Sequence, residues 1–230
     1  MRFTTQSLPS RKPFPSKERL PTNGSLFDLG KTCLKIQGEH LLPTRPRYRI
    51  LPRLIWTRPG PVQGQGGMEI TATTAFADAP PLQLLLVPGG PGQLSLMKHT
   101  LLLDYIRACA ETAEWICSVR SGALLLAQAG VLSGRRAATH WLAKEALQSF
   151  GIEVSGDRYV IDGKFATSAG VSAGMDLALE LTRRLAGEDA AREIQLQLDY
   201  DSSPPSPSGG LEHAPSEIVS RLRAGARRYR

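Results

Sequence analysis

From about residue 57 onward, apolar residues recur with two different periods, and the switching between them predicts an α/β chain. Leu82–Val87 (LQLLLV) is an almost unbroken apolar run closed by Pro88-Gly89-Gly90-Pro91-Gly92. That is the pattern of a strand buried on both faces that ends in a tight loop. Leu101–Ala113 has helical spacing, Trp115–Val119 is a second buried strand, and Gly122–Ala129 reads as a helix stopped by Gly130. Trp141–Phe150 predicts a helix ended by Gly151, and Tyr159–Ile161 and Phe165–Thr167 predict strands around the Asp162-Gly163 turn. Asp176–Ala186 and Ala190–Asp199 predict two more helices, Ser202–Gly210 a loop, and Pro215 the first residue of a closing helix through Arg223. Strands alternating with helices imply a mostly parallel sheet covered on both sides.

The first 53 residues show neither period. Residues 1–24 carry four prolines among hydroxyls and scattered positive charge, which predicts a flexible basic extension. Residues 25–53 form an atypical segment in which Thr32–Ile36 is a candidate short strand, as is Arg53–Trp56 at its boundary with the regular part of the chain.

Charge sharpens this division. The net +7 over 230 residues resembles a nucleic-acid binder, but residues 1–58 hold 12 Lys and Arg against 3 Asp and Glu, a balance of +9, which leaves 16 against 18, or −2, for the rest. The basicity belongs to the N-terminal segment, so the regular part shows no structured basic patch for DNA. The chain stops at Arg230 without room for a helix-turn-helix module, and the expectation is no nucleic-acid partner. No run approaches the ~18 to 20 apolar residues of a membrane helix, so no membrane partner is expected either. Three cysteines, Cys33, Cys109 and Cys117, form no CxxC pair and no even set, which points to a reducing cytoplasm. No residue pattern calls for a metal or a cofactor.

Chemistry concentrates at one corner. Between the strand ending at Val119 and the helix starting at Gly122 only Arg120 and Ser121 turn the chain. In α/β enzymes such a sharp strand-to-helix corner lifts one side chain over the carboxyl ends of the strands. Gly89 and Gly90 end the preceding strand and would lie alongside, with backbone N–H groups free to approach a reacting atom as an oxyanion hole.

Several ordered segments carry a family resemblance: VPGGPG (87–92), SGALLLAQAGVLSGRRAATHW (121–141), TSAGVSAGMDLALEL (167–181) and the tail QLDYDSSPPSPSGGLEHAPSEIVSRLR (197–223), with WTRPGPV (56–62) and TTAFADAPPLQLLLVPGG (73–90). Together, from residue 54 to about 225, they resemble the DJ-1/PfpI superfamily, in particular its isonitrile hydratase-like branch. The resemblance implies a flavodoxin-like three-layer sandwich, a homodimer, a small-molecule ligand and an elbow cysteine. In isonitrile hydratases that thiolate attacks the isonitrile carbon, an acidic residue from the first strand–helix turn assists proton transfer, and water releases an N-substituted formamide.

The chain departs from the family pattern in two places. Aligned without gaps on SGALLLA and THW, the elbow cysteine falls on Arg120 and its hydroxyl neighbour on Ser121. A guanidinium stays protonated and has no accessible lone pair, so Arg120 cannot attack carbon. Cys117, three residues upstream, points to the opposite face of its strand and reads as a core residue. Ser121 is a nucleophile only with a base in reach, and His140 is the candidate, although a histidine there also serves by hydrogen-bonding a neighbouring loop. Thr167 and Ser168 either line the pocket or close their strand; Asp176 complements a helix start. The second departure is the family's apolar first strand and acidic residue, which nothing here matches well. The first strand is atypical or missing, and Asp28 in GSLFDLG is the only echo of the acid. Two functions remain: an isonitrile hydratase-like enzyme impaired at its nucleophile, or a non-catalytic protein holding a small anion at Arg120, Ser121, Gly89 and Gly90.

Overall fold

The structure, a computed structural model, describes residues 51–64 and 68–226. The basic extension, the strand expected at Thr32–Ile36 and the candidate acid Asp28 all lie outside the described residues.

The described chain opens with β1 (Ile55–Trp56), an antiparallel hairpin of β2 (Gly60–Gln63) and β3 (Glu69–Ala72), and β4 (Thr74–Ala75), which pairs in parallel with β1. Sequence periodicity marks no hairpin here, because Pro61 and the glycines around residue 65 interrupt the alternation. The alternation survives in β3, where Ile70 and Ala72 turn inward and Glu69 and Thr71 outward. Pro61 is tolerated since its sheet has only two strands and a missing N–H costs no central ladder bond.

Next come β5 (Leu84–Pro88), α1 (Gln93–Leu96), α2 (Thr100–Thr112), β6 (Trp115–Val119), α3 (Gly122–Gln128) and the short β7 (Arg136–Ala137). The helix expected over Trp141–Phe150 is split into a 3-10 turn over Trp141–Ala143 and α4 (Lys144–Gln148). β8 (Glu153–Val154), β9 (Tyr159–Asp162) and β10 (Phe165–Ser168) come after it, then α5 (Val171–Ala186), α6 (Glu188–Gln197) and α7 (Ser216–Gly225). α5 begins five residues earlier than Asp176, since extended Gly170 caps it and Gly174 is accommodated inside it, where a Cβ would come within 3.1 Å of Val119 Cγ1. Asp176 therefore stands in the second turn and not at the helix start.

The main sheet has the order β5-β6-β10-β9, parallel throughout except for β9. On one face Ile116, Leu125, Leu126 and Leu132 belong to the large core under α2 and α3; on the other, Cys117 and Ala166 pack with Leu177 and Leu181 of α5. Helices on both faces of a mostly parallel sheet make the flavodoxin-like sandwich that the alternating pattern implied. Cys117 is 1% exposed on the α5 face, opposite Ile116.

The two sides of β5 differ. Trp115 N–H donates to Gln83 O at 3.0 Å, and the alternation of a parallel ladder then turns residues 83, 85 and 87 toward β6 and Leu84 and Leu86 the other way. There, among the described residues, no strand pairs with β5. Among the described residues, too, no helix is long and apolar enough to cross a membrane.

Candidate functional site

The carboxyl ends of β5, β6 and β10 meet at one point, and the corner between β6 and α3 sits on it. Arg120 turns that corner with φ of 57°, in the left-handed region. A side chain with a Cβ holds that conformation at a cost of roughly 1–2 kcal/mol, so the surroundings must impose it. They do so by hydrogen bonds from several elements. Arg120 N–H donates to Ser168 O at 3.0 Å at the end of β10, and Thr139 Oγ1 donates to Arg120 O at 2.9 Å. Gln93 Nε2 in α1 donates to Ser121 O.

Two glycines allow the loops to interlock. A Cβ on Gly89 would lie 2.5 Å from Ser121 N and 2.6 Å from Ser121 Oγ, and one on Gly122 would lie 2.1 Å from Val87 O. Only the absence of side chains lets the Gly89-Gly90 loop and the corner press together. Ser121 is thereby sealed, 2% exposed with its hydroxyl against Gly89. Gly90 O accepts from Gln93 N–H at 3.3 Å, tying the loop to α1.

His140 follows Thr139, whose hydroxyl holds the Arg120 carbonyl. Its Nδ1 accepts the Leu142 N–H at 3.4 Å, and burial, together with the smaller effect of the Arg120 charge, pushes its pKa from 6.5 down to about 4. The ring is neutral at pH 7 and its accepting nitrogen is occupied by a backbone donor. No hydrogen bond joins His140 to Ser121 among the described residues, so the geometry provides the Ser121 hydroxyl with no base. Among the described residues the Arg120 guanidinium has neither a carboxylate nor a hydrogen-bond acceptor, and its charge is felt at His140.

The remaining candidates are structural. Thr167 Oγ1 accepts the Ala138 N–H at 2.8 Å, and Ser168 Oγ donates to Ser118 O at 3.4 Å, both buried. Asp176 receives Arg158 Nε at 2.6 Å and the Tyr200 hydroxyl at 2.8 Å, fastening α5 to the β9 approach and the tail. Gln93 is a site residue that sequence reasoning misses. Its only signal there is a polar residue directly after PGGPG at the start of the short QLSLM stretch. No group of three or more His, Cys, Asp or Glu able to hold a metal gathers among the described residues.

A left-handed corner between strand and helix, interlocked with a Gly-Gly loop on a parallel sheet, defines an elbow-bearing α/β protein, and the chain belongs to the DJ-1/PfpI family, whose sequence profile matches residues 49–184. It is 42% identical over 173 residues to the isonitrile hydratase of Pseudomonas putida, covering 75% of this chain and 76% of that protein. It is 31% identical over 140 residues to the HTH-type transcriptional regulator CdhR of Pseudomonas aeruginosa, 60% of this chain but 41% of the regulator, so it spans less than half of that relative. Among solved structures, a THiJ/PfpI family protein from Pseudomonas syringae superposes with a TM-score of 0.74 at 31% identity, over 77% of this chain and 74% of the other.

Proposed function

We propose that this isonitrile hydratase-like protein does not hydrate isonitriles and instead binds a small anionic molecule at its elbow, as a homodimer in the cytoplasm. One observation carries the reading. At the apex stands Arg120, held left-handed, half-buried and with its guanidinium unpartnered among the described residues. Hydration needs an atom that can donate an electron pair to the isonitrile carbon, and a protonated guanidinium has none. The buried Ser121 hydroxyl faces Gly89, and neutral His140 has its Nδ1 occupied, so neither supplies a replacement. An unpaired guanidinium in a partly desolvated corner is instead suited to two parallel hydrogen bonds with a carboxylate or phosphate.

The likeness to isonitrile hydratase makes the activity directly testable. Purified protein incubated with cyclohexyl isocyanide is expected to release no formamide above the uncatalysed background, while Arg120→Cys gains turnover. Inorganic phosphate and small carboxylates are expected to raise the Tm of the wild type, and not that of Arg120→Ala. Robust wild-type turnover would falsify the loss of hydration. An equal Tm shift in Arg120→Ala removes the anion site.

A further inference from the structure

Gln93 is only 3% exposed, yet half of its side-chain amide is unused: Nε2 donates to Ser121 O, and the buried Oε1 has no partner. A buried acceptor left unsatisfied costs about 1–3 kcal/mol, more than one ordinary hydrogen bond returns. Methionine would fill nearly the same volume without that cost. A group that is unfavourable for stability, placed against the one strained non-glycine residue of the elbow, calls for a role in the site.

Its position indicates which role. Four contacts hold the corner: Ser168 O takes the Arg120 N–H, Thr139 takes the Arg120 carbonyl, and the next carbonyl, that of Ser121, takes both Gln93 Nε2 and the Leu124 N–H of α3. The first two fix the peptide units on either side of Arg120 from the β10 and Thr139 side. Gln93 grips from the opposite side, through α1 and the Gly89-Gly90 loop. Without it the Ser121 carbonyl keeps only the Leu124 N–H of α3, at 3.0 Å, and nothing ties it to α1; a shift of the start of α3 away from α1 is then one way for the left-handed strain at Arg120 to relax.

We propose that Gln93 is a positioning residue, which holds the Ser121 peptide so that Arg120 keeps its left-handed turn and presents its guanidinium beside His140. This rests on the reading of Arg120 as the anion-binding group, but its test does not. The histidine ring senses the guanidinium whether or not a ligand binds.

The experiment compares wild type, Gln93→Met and Gln93→Leu, neither of which can donate a hydrogen bond to Ser121 O. His140 is titrated by NMR, inorganic phosphate affinity is read from Tm shifts, and stability from urea midpoints. In Gln93→Met, the expected result is a His140 pKa that climbs toward the ordinary value and phosphate binding weakened roughly tenfold, with stability unchanged or raised. Gln93→Leu reproduces the histidine response and so covers any failure of the methionine variant to fold. If His140 titrates as in the wild type in both variants, whatever their stability, Gln93 does not position Arg120 and the proposal is overturned. If the wild type binds no phosphate, the anion reading fails alone, and the histidine response still decides the role of Gln93.

Discussion

Two regions of the same sheet are finished to different standards. At the carboxyl end of β6, the peptides around Arg120 are bonded to Ser168, Thr139 and Gln93, and glycines bring backbones to distances that no Cβ would survive. Along the outer edge of β5, Leu84 and Leu86 are half-buried and turn their N–H and C=O toward a side where no described strand lies. A strand that is apolar on both faces is built for the interior of a sheet, and within Leu84–Val87 no charge, proline or bulge guards the edge. Among the described residues, β6, β10 and the Thr139 segment hold the elbow from one side, and the loop after β5 with Gln93 of α1 holds it from the other. An edge left open by the described strands bears on stability and association, while strain at Arg120 bears on the site.

Native-state hydrogen exchange probes the contrast at its largest. The Leu84 and Leu86 amides are expected to exchange about 10³ times faster than those of Ile116–Val119, equivalent to about 4 kcal/mol less opening free energy. Equal protection at both places would mean that another strand covers the edge and the two regions are alike.

Acid acts on the elbow and leaves the edge untouched. Because the folded-state pKa of His140, about 4, lies below the ordinary 6.5, the unfolded chain takes up the proton first as pH falls. The stability is complete above pH 6.5, declines through the window down to about 4, and then levels. Allowing for the part of the ring that water reaches, wild type should lose about 2 kcal/mol more than His140→Gln between pH 7 and pH 4 in urea unfolding. Parallel pH profiles for the two proteins would contradict a neutral, desolvated ring beside the guanidinium.

The sheet is legible in the sequence because its strands are apolar on both faces: Trp115–Val119 has the same limits in sequence and structure, and β5 is displaced only from Leu82–Val87 to Leu84–Pro88. Helix starts are less so. Val171–Met175 contains glycine and serine, poor helix formers that packing against Val119 overrides. The β2–β3 hairpin is hidden by Pro61 and by its brevity. Within the site, the corner at Arg120 can be read from residue order alone. That Ser121 is sealed by Gly89, that His140 is neutral, and that Gln93 reaches Ser121 from 28 positions away are consequences of tertiary approach, with no local signature.

The smallest expected effect bears most directly on the strain. At φ of 57°, Arg120 carries the left-handed cost of roughly 1–2 kcal/mol, and glycine carries none. Glycine also frees the unfolded chain, which takes back about 0.4–1 kcal/mol. Arg120→Gly should therefore stabilise the protein by about 0.5–1 kcal/mol, or roughly 1–4 °C in Tm. Arg120→Cys keeps the Cβ and the strain and should stay near the wild type, which separates the backbone effect from loss of the charge. Removing the guanidinium in either variant also lifts His140 part of the way back, since burial, its larger cause, remains. If Arg120→Gly instead lowers the Tm, the guanidinium is making contacts worth more than the strain it costs, and the elbow would have to be regarded as a stabilising element in place of a strained one.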